Sequence, residues 1–123
     1  MRLLCVDDEV DIRVILELAL GLDPEFRTDI VSSGAELLER AARERYDLFV
    51  LDGMMPVMDG YETCRRLKAD PVTAGVPVVF LTAKTQRDEV ARALALGAVA
   101  CLTKPFDPLT LAGELRSALR AAA

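Results

Sequence analysis

Five alternations of a short apolar run with a longer helical pattern predict an α/β domain: a parallel five-stranded sheet with helices on both faces. Three observations carry that expectation. The runs Leu3–Val6, Leu48–Leu51 and Val76–Leu81 are continuously apolar, as strands covered on both faces should be. Helix start and stop signals fill the gaps between runs. Neither an internal repeat nor a low-complexity linker interrupts the order, so residues 1–123 read as one domain.

The first strand is Leu3–Val6, and a helical stretch follows it directly. The second, Thr28–Val31, is shorter of apolar residues and suits an edge position. Ser33 with Glu36 and Asp59 with Glu62 have capping-box spacing and predict the starts of the second and third helices. The third and fourth strands are Leu48–Leu51 and Val76–Leu81. Gly97 is placed where a left-handed cap would close the fourth helix, and Val99–Leu102 gives the fifth strand. Asp107 followed by Pro108 predicts the start of the last helix, which carries Leu111, Leu115, Ala118 and Leu119 on one face.

The chain is 52% hydrophobic and 28% charged, an ordinary globular composition. No apolar stretch approaches the ~20 residues needed to span a bilayer, and no signal-peptide pattern opens the chain, so a soluble, cytoplasmic protein without membrane contact is expected. A formal net charge of -5 argues against direct nucleic-acid binding. Cys5, Cys64 and Cys101 are odd in number and widely spaced, and read as small apolar residues of a reducing compartment.

In an open α/β sheet, ligand groups gather beyond the carboxyl ends of the strands. The residues that leave the strands here are Asp7-Asp8-Glu9, Ser32-Ser33, Asp52, Thr82 and Thr103-Lys104-Pro105. If the first and third strands are neighbours, Asp7, Asp8 and Asp52 meet. Two unit charges about 4 Å apart repel by roughly 4 kcal/mol at an effective dielectric near 20, so such a group calls for a proton or a cation. Magnesium suits it, taking oxygen ligands and keeping several waters. Asp8, Glu9 and Asp11 alone could merely cap the next helix. Asp52 is harder to explain that way, because four apolar residues precede it. Lys104, held before Pro105, would sit at the same edge, able to pair with Asp52 or with a phosphoryl oxygen, although a lone lysine there could equally be a solvated loop residue. Thr82 offers a hydroxyl there, although a lone threonine at a strand end is more often a turn or cap residue.

These segments together resemble bacterial two-component receiver domains over essentially the whole chain: Val6-Asp7-Asp8-Glu9, the run Asp52 to Gly60, Leu81-Thr82-Ala83, and Leu102-Thr103-Lys104-Pro105-Phe106. The resemblance implies a flavodoxin-like (βα)5 sandwich with strand order 2-1-3-4-5. It implies that Asp52 accepts a phosphoryl group, and that Asp8, Asp52 and the Met54 main-chain carbonyl ligate Mg²⁺, with Mn²⁺ as a substitute. Asp7 would act through a metal-bound water, and Thr82 and Lys104 would hold phosphoryl oxygens. Met54-Met55-Pro56 would shape the following loop and Gly60 would ease the turn into the third helix. The implied partners are a sensor histidine kinase or histidine phosphotransfer protein, and an unidentified downstream protein or fused output domain. The chain would be either a stand-alone regulator or the receiver part of a longer protein.

The sequence departs from the family pattern at three places. Cys101 stands where an aromatic switch residue is usual, Gly53 replaces a bulkier residue, and neither Met54 nor Lys84 is an evident activator of water. Slow self-dephosphorylation is therefore expected. Three other readings compete with this one. A haloacid-dehalogenase-type phosphatase needs a cap and a D-x-D-x-T pattern. A flavodoxin-like cofactor binder needs an anion-binding loop in place of acids. A degenerate receiver would act as a phosphorylation-independent interaction module.

Overall fold

The computed structural model describes residues 1–83 and 87–122. The strands are β1 (Arg2–Val6), β2 (Arg27–Val31), β3 (Leu48–Leu51), β4 (Val78–Thr82) and β5 (Ala100–Thr103). The helices are α1 (Val10–Gly21), α2 (Gly34–Arg43), α3 (Gly60–Ala69), α4 (Arg87–Ala95) and α5 (Leu111–Ala122). All four strand pairings are parallel and the order is β2-β1-β3-β4-β5. This is the expected flavodoxin-like arrangement.

Alternation along each strand sorts side chains to two faces. Leu4, Val6, Phe49, Leu51, Val78 and Phe80 pack with Leu37 of α2, Tyr61, Cys64 and Leu67 of α3, and Ala93 of α4. Leu3, Cys5, Leu48, Val50, Val79 and Leu81 pack with Leu16 and Leu20 of α1 and with Leu111 and Leu115 of α5. Every residue of β3 and β4 is buried, which is why their sequences carry no polar alternation. The polar β2 lies at one edge, as expected. Truncating a central side chain such as Phe49 or Phe80 to alanine should cost about 3–5 kcal/mol.

The end signals hold with local differences. Ser33 accepts from the Glu36 N–H at 3.2 Å, but Glu36 returns its bond to Ser32 (3.1 Å) instead of Ser33. Asp59 accepts from the Glu62 N–H at 2.8 Å, whereas the Glu62 carboxylate turns to Arg65 and Arg66, so the return bond of a capping box is absent. Gly97 has φ +102°, and paired bonds from Gly97 N–H to Leu94 O and Ala98 N–H to Ala93 O close α4 as a Schellman motif. β4 begins at Val78, two residues later than the apolar run. The regular part of α5 begins at Leu111, three residues after Pro108. Asp107 still caps the turn before it, accepting the Leu109 N–H on its carboxylate and the Leu111 N–H on its carbonyl.

Candidate phosphoacceptor and metal site

Register brings the acidic exits together. Val6 pairs with Leu51, and the Asp52 N–H donates to the Val6 carbonyl at 3.3 Å, so Asp7 and Asp52 leave neighbouring strands side by side. On the other side Thr82 pairs with Thr103, and the Lys104 N–H donates to the Thr82 carbonyl at 3.0 Å. The Lys104–Pro105 peptide is cis. Carboxylate oxygens of Asp7, Asp8 and Asp52 lie within 4.8 Å of one another. Asp7 and Asp52 are buried (1% and 4% exposed), and Asp8 is open to solvent.

The two buried acids are held by the same device. Each accepts, on one oxygen, the N–H two residues further along: Glu9 N–H to Asp7 Oδ1 at 2.9 Å, and Met54 N–H to Asp52 Oδ1 at 3.2 Å. These local turns follow from the short reach of aspartate. The other oxygen of each faces Lys104, whose ammonium donates to Asp7 Oδ2 and lies 3.3 Å from Asp52 Oδ2. Arg13, one turn into α1, donates to the Asp7 carbonyl at 2.8 Å and secures the loop from outside.

Burial pushes the Asp52 carboxyl up to about 6, against the opposing pull of Lys104, and Asp7 adds to the rise. Burial alone would lower Lys104, but its bond to Asp7 and the charge of Asp52 outweigh that, so the ammonium is held above its ordinary value. The pocket thus carries more negative charge than its lysine offsets. Hard oxygen donors, one of them solvent-facing, and a surplus of anionic charge fit a divalent cation of the magnesium class.

Thr82 is fully buried, and its Oγ1 lies 3.2 Å from the point a Gly53 Cβ would occupy. The structure therefore brings Asp7, Asp8, Asp52 and Lys104 into one group, with Thr82 beside Gly53, the residue that follows Asp52. Met54 enters through its N–H to Asp52, and its side chain is exposed. Lys84 lies outside the described residues. Gly60 has a different reason from the expected turn: a Cβ there would lie 2.1 Å from the Asp52 carbonyl oxygen, so close approach demands glycine. Its N–H donates to Gly53 O at 3.1 Å and closes the loop between them. Within that loop Val57, fully exposed, holds φ +68°, a left-handed conformation unusual for a β-branched residue.

The Tyr61 ring fills the space beside Gly53. Tyr61 Cε2 and Oη come within 3.3 Å of the virtual Gly53 Cβ. Sequence reasoning missed this ring, and its only sequence signal was an aromatic residue in the first turn of an otherwise polar helix.

No described helix is long and apolar enough to cross a membrane. Comparison with known proteins identifies the family. A family model described as the response regulator receiver domain matches residues 3–116. The response regulator PleD of Caulobacter vibrioides is 41% identical over 120 residues, covering 97% of this chain and 26% of its own length. The DNA-binding response regulator MtrA of Mycobacterium tuberculosis is 39% identical over 119 residues, covering 97% of this chain and 50% of its own. The chain thus spans between a quarter and half of these curated relatives. Among solved structures, the chemotaxis protein CheY4 of Vibrio cholerae superposes with a TM-score of 0.88 at 31% identity, covering 95% of this chain and 97% of its own. By its sequence match, its strand order and its relatives, the chain belongs to the response regulator receiver domain family.

Proposed function

We propose that Asp52 accepts a phosphoryl group from a histidine kinase or histidine phosphotransfer protein in a Mg²⁺-dependent reaction, and that the phosphorylated domain regulates a downstream partner. The observation that carries this reading is the buried Asp52 carboxylate, clustered with Asp7 and Asp8 and sharing an ammonium with Asp7.

Asp52 Oδ2, the oxygen that faces Lys104 at rest, attacks phosphorus in line with the leaving group. The bond from phosphorus to the donor's imidazole nitrogen, or to the carboxylate oxygen of a small acyl phosphate, breaks as the new P–O bond forms. Its electron pair leaves with the donor. The Met54 N–H holds the other Asp52 oxygen, which fixes the angle of attack. Lys104 exchanges its contact with Asp52 for a phosphoryl oxygen, and Thr82 donates its hydroxyl to another. Asp8, Asp52 and the Met54 carbonyl would hold the metal, with Asp7 reaching it through a water. When bound, Mg²⁺ supplies positive charge against the phosphoryl oxygens.

Reversal of the signal needs water to attack the acyl phosphate. Met54 has no group to orient that water, so the phosphorylated form decays slowly, and the domain promotes its own phosphorylation and slow dephosphorylation without being a turnover enzyme. Its proposed compartment is the cytoplasm, where such kinases present their phosphohistidine. The phosphorylation-independent alternative is not favoured, since every group the chemistry requires is present.

The test is intact-mass measurement after incubation with acetyl phosphate and Mg²⁺. The protein should gain one phosphoryl group, lose the gain when the metal is chelated, and show none as Asp52→Asn. An equal gain in Asp52→Asn would refute the assignment.

A further inference from the structure

The Tyr61 ring occupies a position that neither the acceptor chemistry nor core packing explains fully. It is buried (3% exposed) and stacks on Phe80 of β4 at 5.0 Å between centroids. Its edge meets the virtual Gly53 Cβ at 3.3 Å, the same point that Thr82 Oγ1 approaches at 3.2 Å. The phenol and the Thr82 hydroxyl thus converge on the residue next to the acceptor. The far side of the ring belongs to α4: the Tyr61 hydroxyl donates to Glu89 Oε2 at 2.6 Å, and the Arg92 guanidinium lies 4.1 Å from the ring centroid. Glu89 and Arg92 are three residues apart, so they grip the ring from one face of that helix.

Each contact is of a kind that responds to small displacements. A hydroxyl-to-carboxylate bond is charge-assisted and short, and weakens steeply as its geometry is lost. A guanidinium over a ring depends on remaining above its face. Burial and Glu89 hold the phenol above its ordinary value, so it stays a neutral donor throughout the physiological range. Cys101 packs against the same cluster, and its small side chain leaves Tyr61 as the ring nearest Gly53 there.

We propose that Tyr61 is the coupling residue between the acceptor loop and α4: it rests wedged beside Gly53 and Thr82 and tied to Glu89 and Arg92, and a shift of Thr82 toward a phosphoryl group on Asp52 moves the ring and slackens its hold on the helix. This rests on the acceptor reading above. It makes the face of α4 bearing Glu89 and Arg92 the surface whose mobility reports phosphorylation. The device needs glycine at position 53, since any side chain there would compete with the ring.

The chain has two tyrosines, so incorporation of 3-fluorotyrosine gives two ¹⁹F resonances. Tyr46, bonded to Asp29 toward the amino ends of the strands, serves as the internal reference. On phosphorylation with acetyl phosphate and Mg²⁺, the Tyr61 resonance should move and that of Tyr46 should stay. Glu89→Ala should rest already displaced toward the phosphorylated position and lose most of the further shift, while Glu89→Gln, which keeps an acceptor oxygen, should rest near the parent. Tyr61→Phe should speed amide exchange across residues 87–95 of the resting protein by roughly fivefold, the size expected for one lost hydrogen bond. An added phosphoryl group by mass with a stationary Tyr61 resonance, or with both resonances moving together, would overturn the coupling alone. Absence of any phosphoryl gain would overturn the acceptor reading and the coupling with it.

Discussion

The two ends of the sheet each carry a cluster of charged residues, and they are built on opposite principles. Toward the amino ends of β1 and β2, Arg2 and Arg40 face Asp29 and Glu44 in pairs of 2.9–3.5 Å, with every side chain 34–40% exposed. Charge there is balanced and solvated, and Tyr46 completes it by donating to Asp29 at 2.7 Å. At the carboxyl end, Asp7 and Asp52 are buried, Asp8 adds a third carboxylate, and Lys104 offsets only part of the total. A balanced surface network adds little stability and has no appetite for a ligand. A buried, unbalanced one costs stability, and that cost is recovered only when a cation enters.

The sharpest way to break this contrast is to remove the shared ammonium. Lys104→Met keeps the apolar stem but leaves two buried carboxylates without their cation, and should destabilise the fold by about 2–4 kcal/mol at pH 7 in urea titration. The loss should shrink as the pH falls below about 6 and Asp52 protonates, and Mg²⁺ should restore part of it. A pH-independent loss would mean that packing alone accounts for the lysine.

Asp52→Asn should act in the opposite direction. The native carboxyl is raised to about 6, above its unfolded value, so the folded state binds the extra proton between those limits and stability falls as pH rises through them. Above that window the ionised side chain is a net cost, and the amide should stabilise the metal-free protein by about 1–3 kcal/mol at pH 7, with little effect at pH 3. Thermal melts across that range would check both the sign and the window. The smallest effect is expected at the balanced end: Arg2→Ala should lower stability less than either change above alters it, and the loss should diminish with added salt. A salt-insensitive loss as large as that of Lys104→Met would erase the distinction between the two ends.

Much of the carboxyl-end site could be read from sequence because its components lie at or just beyond the ends of strands. Asp7, Asp52 and Lys104 directly follow β1, β3 and β5, Thr82 ends β4, and a parallel sheet places all such residues at one edge. The edge position of β2 was equally readable from its polar run, and Gly97 from its place after a helix. The pairing of exits needed strand order, which came from the resemblance and not from periodicity. Tyr61 was hidden for a different reason. Its partners Glu89 and Arg92 lie 28 and 31 residues away on another helix, and no local pattern encodes a contact between helices. Gly60 was noticed for a plausible but different reason, because a turn and a close approach look alike until the Asp52 carbonyl is located. The late start of α5 reflects the turn formed by Pro108, Leu109 and Thr110, which Asp107 caps without yet forming regular helix.

The most direct measurement locates the phosphoryl group chemically. After reaction with acetyl phosphate and Mg²⁺, borohydride reduces an aspartyl phosphate to homoserine, and peptide mass mapping then reads the position. The buried, unbalanced acid cluster predicts homoserine at residue 52 and unaltered aspartate at residues 7 and 8. Homoserine at residue 7 or 8, or at none of the three, would contradict it.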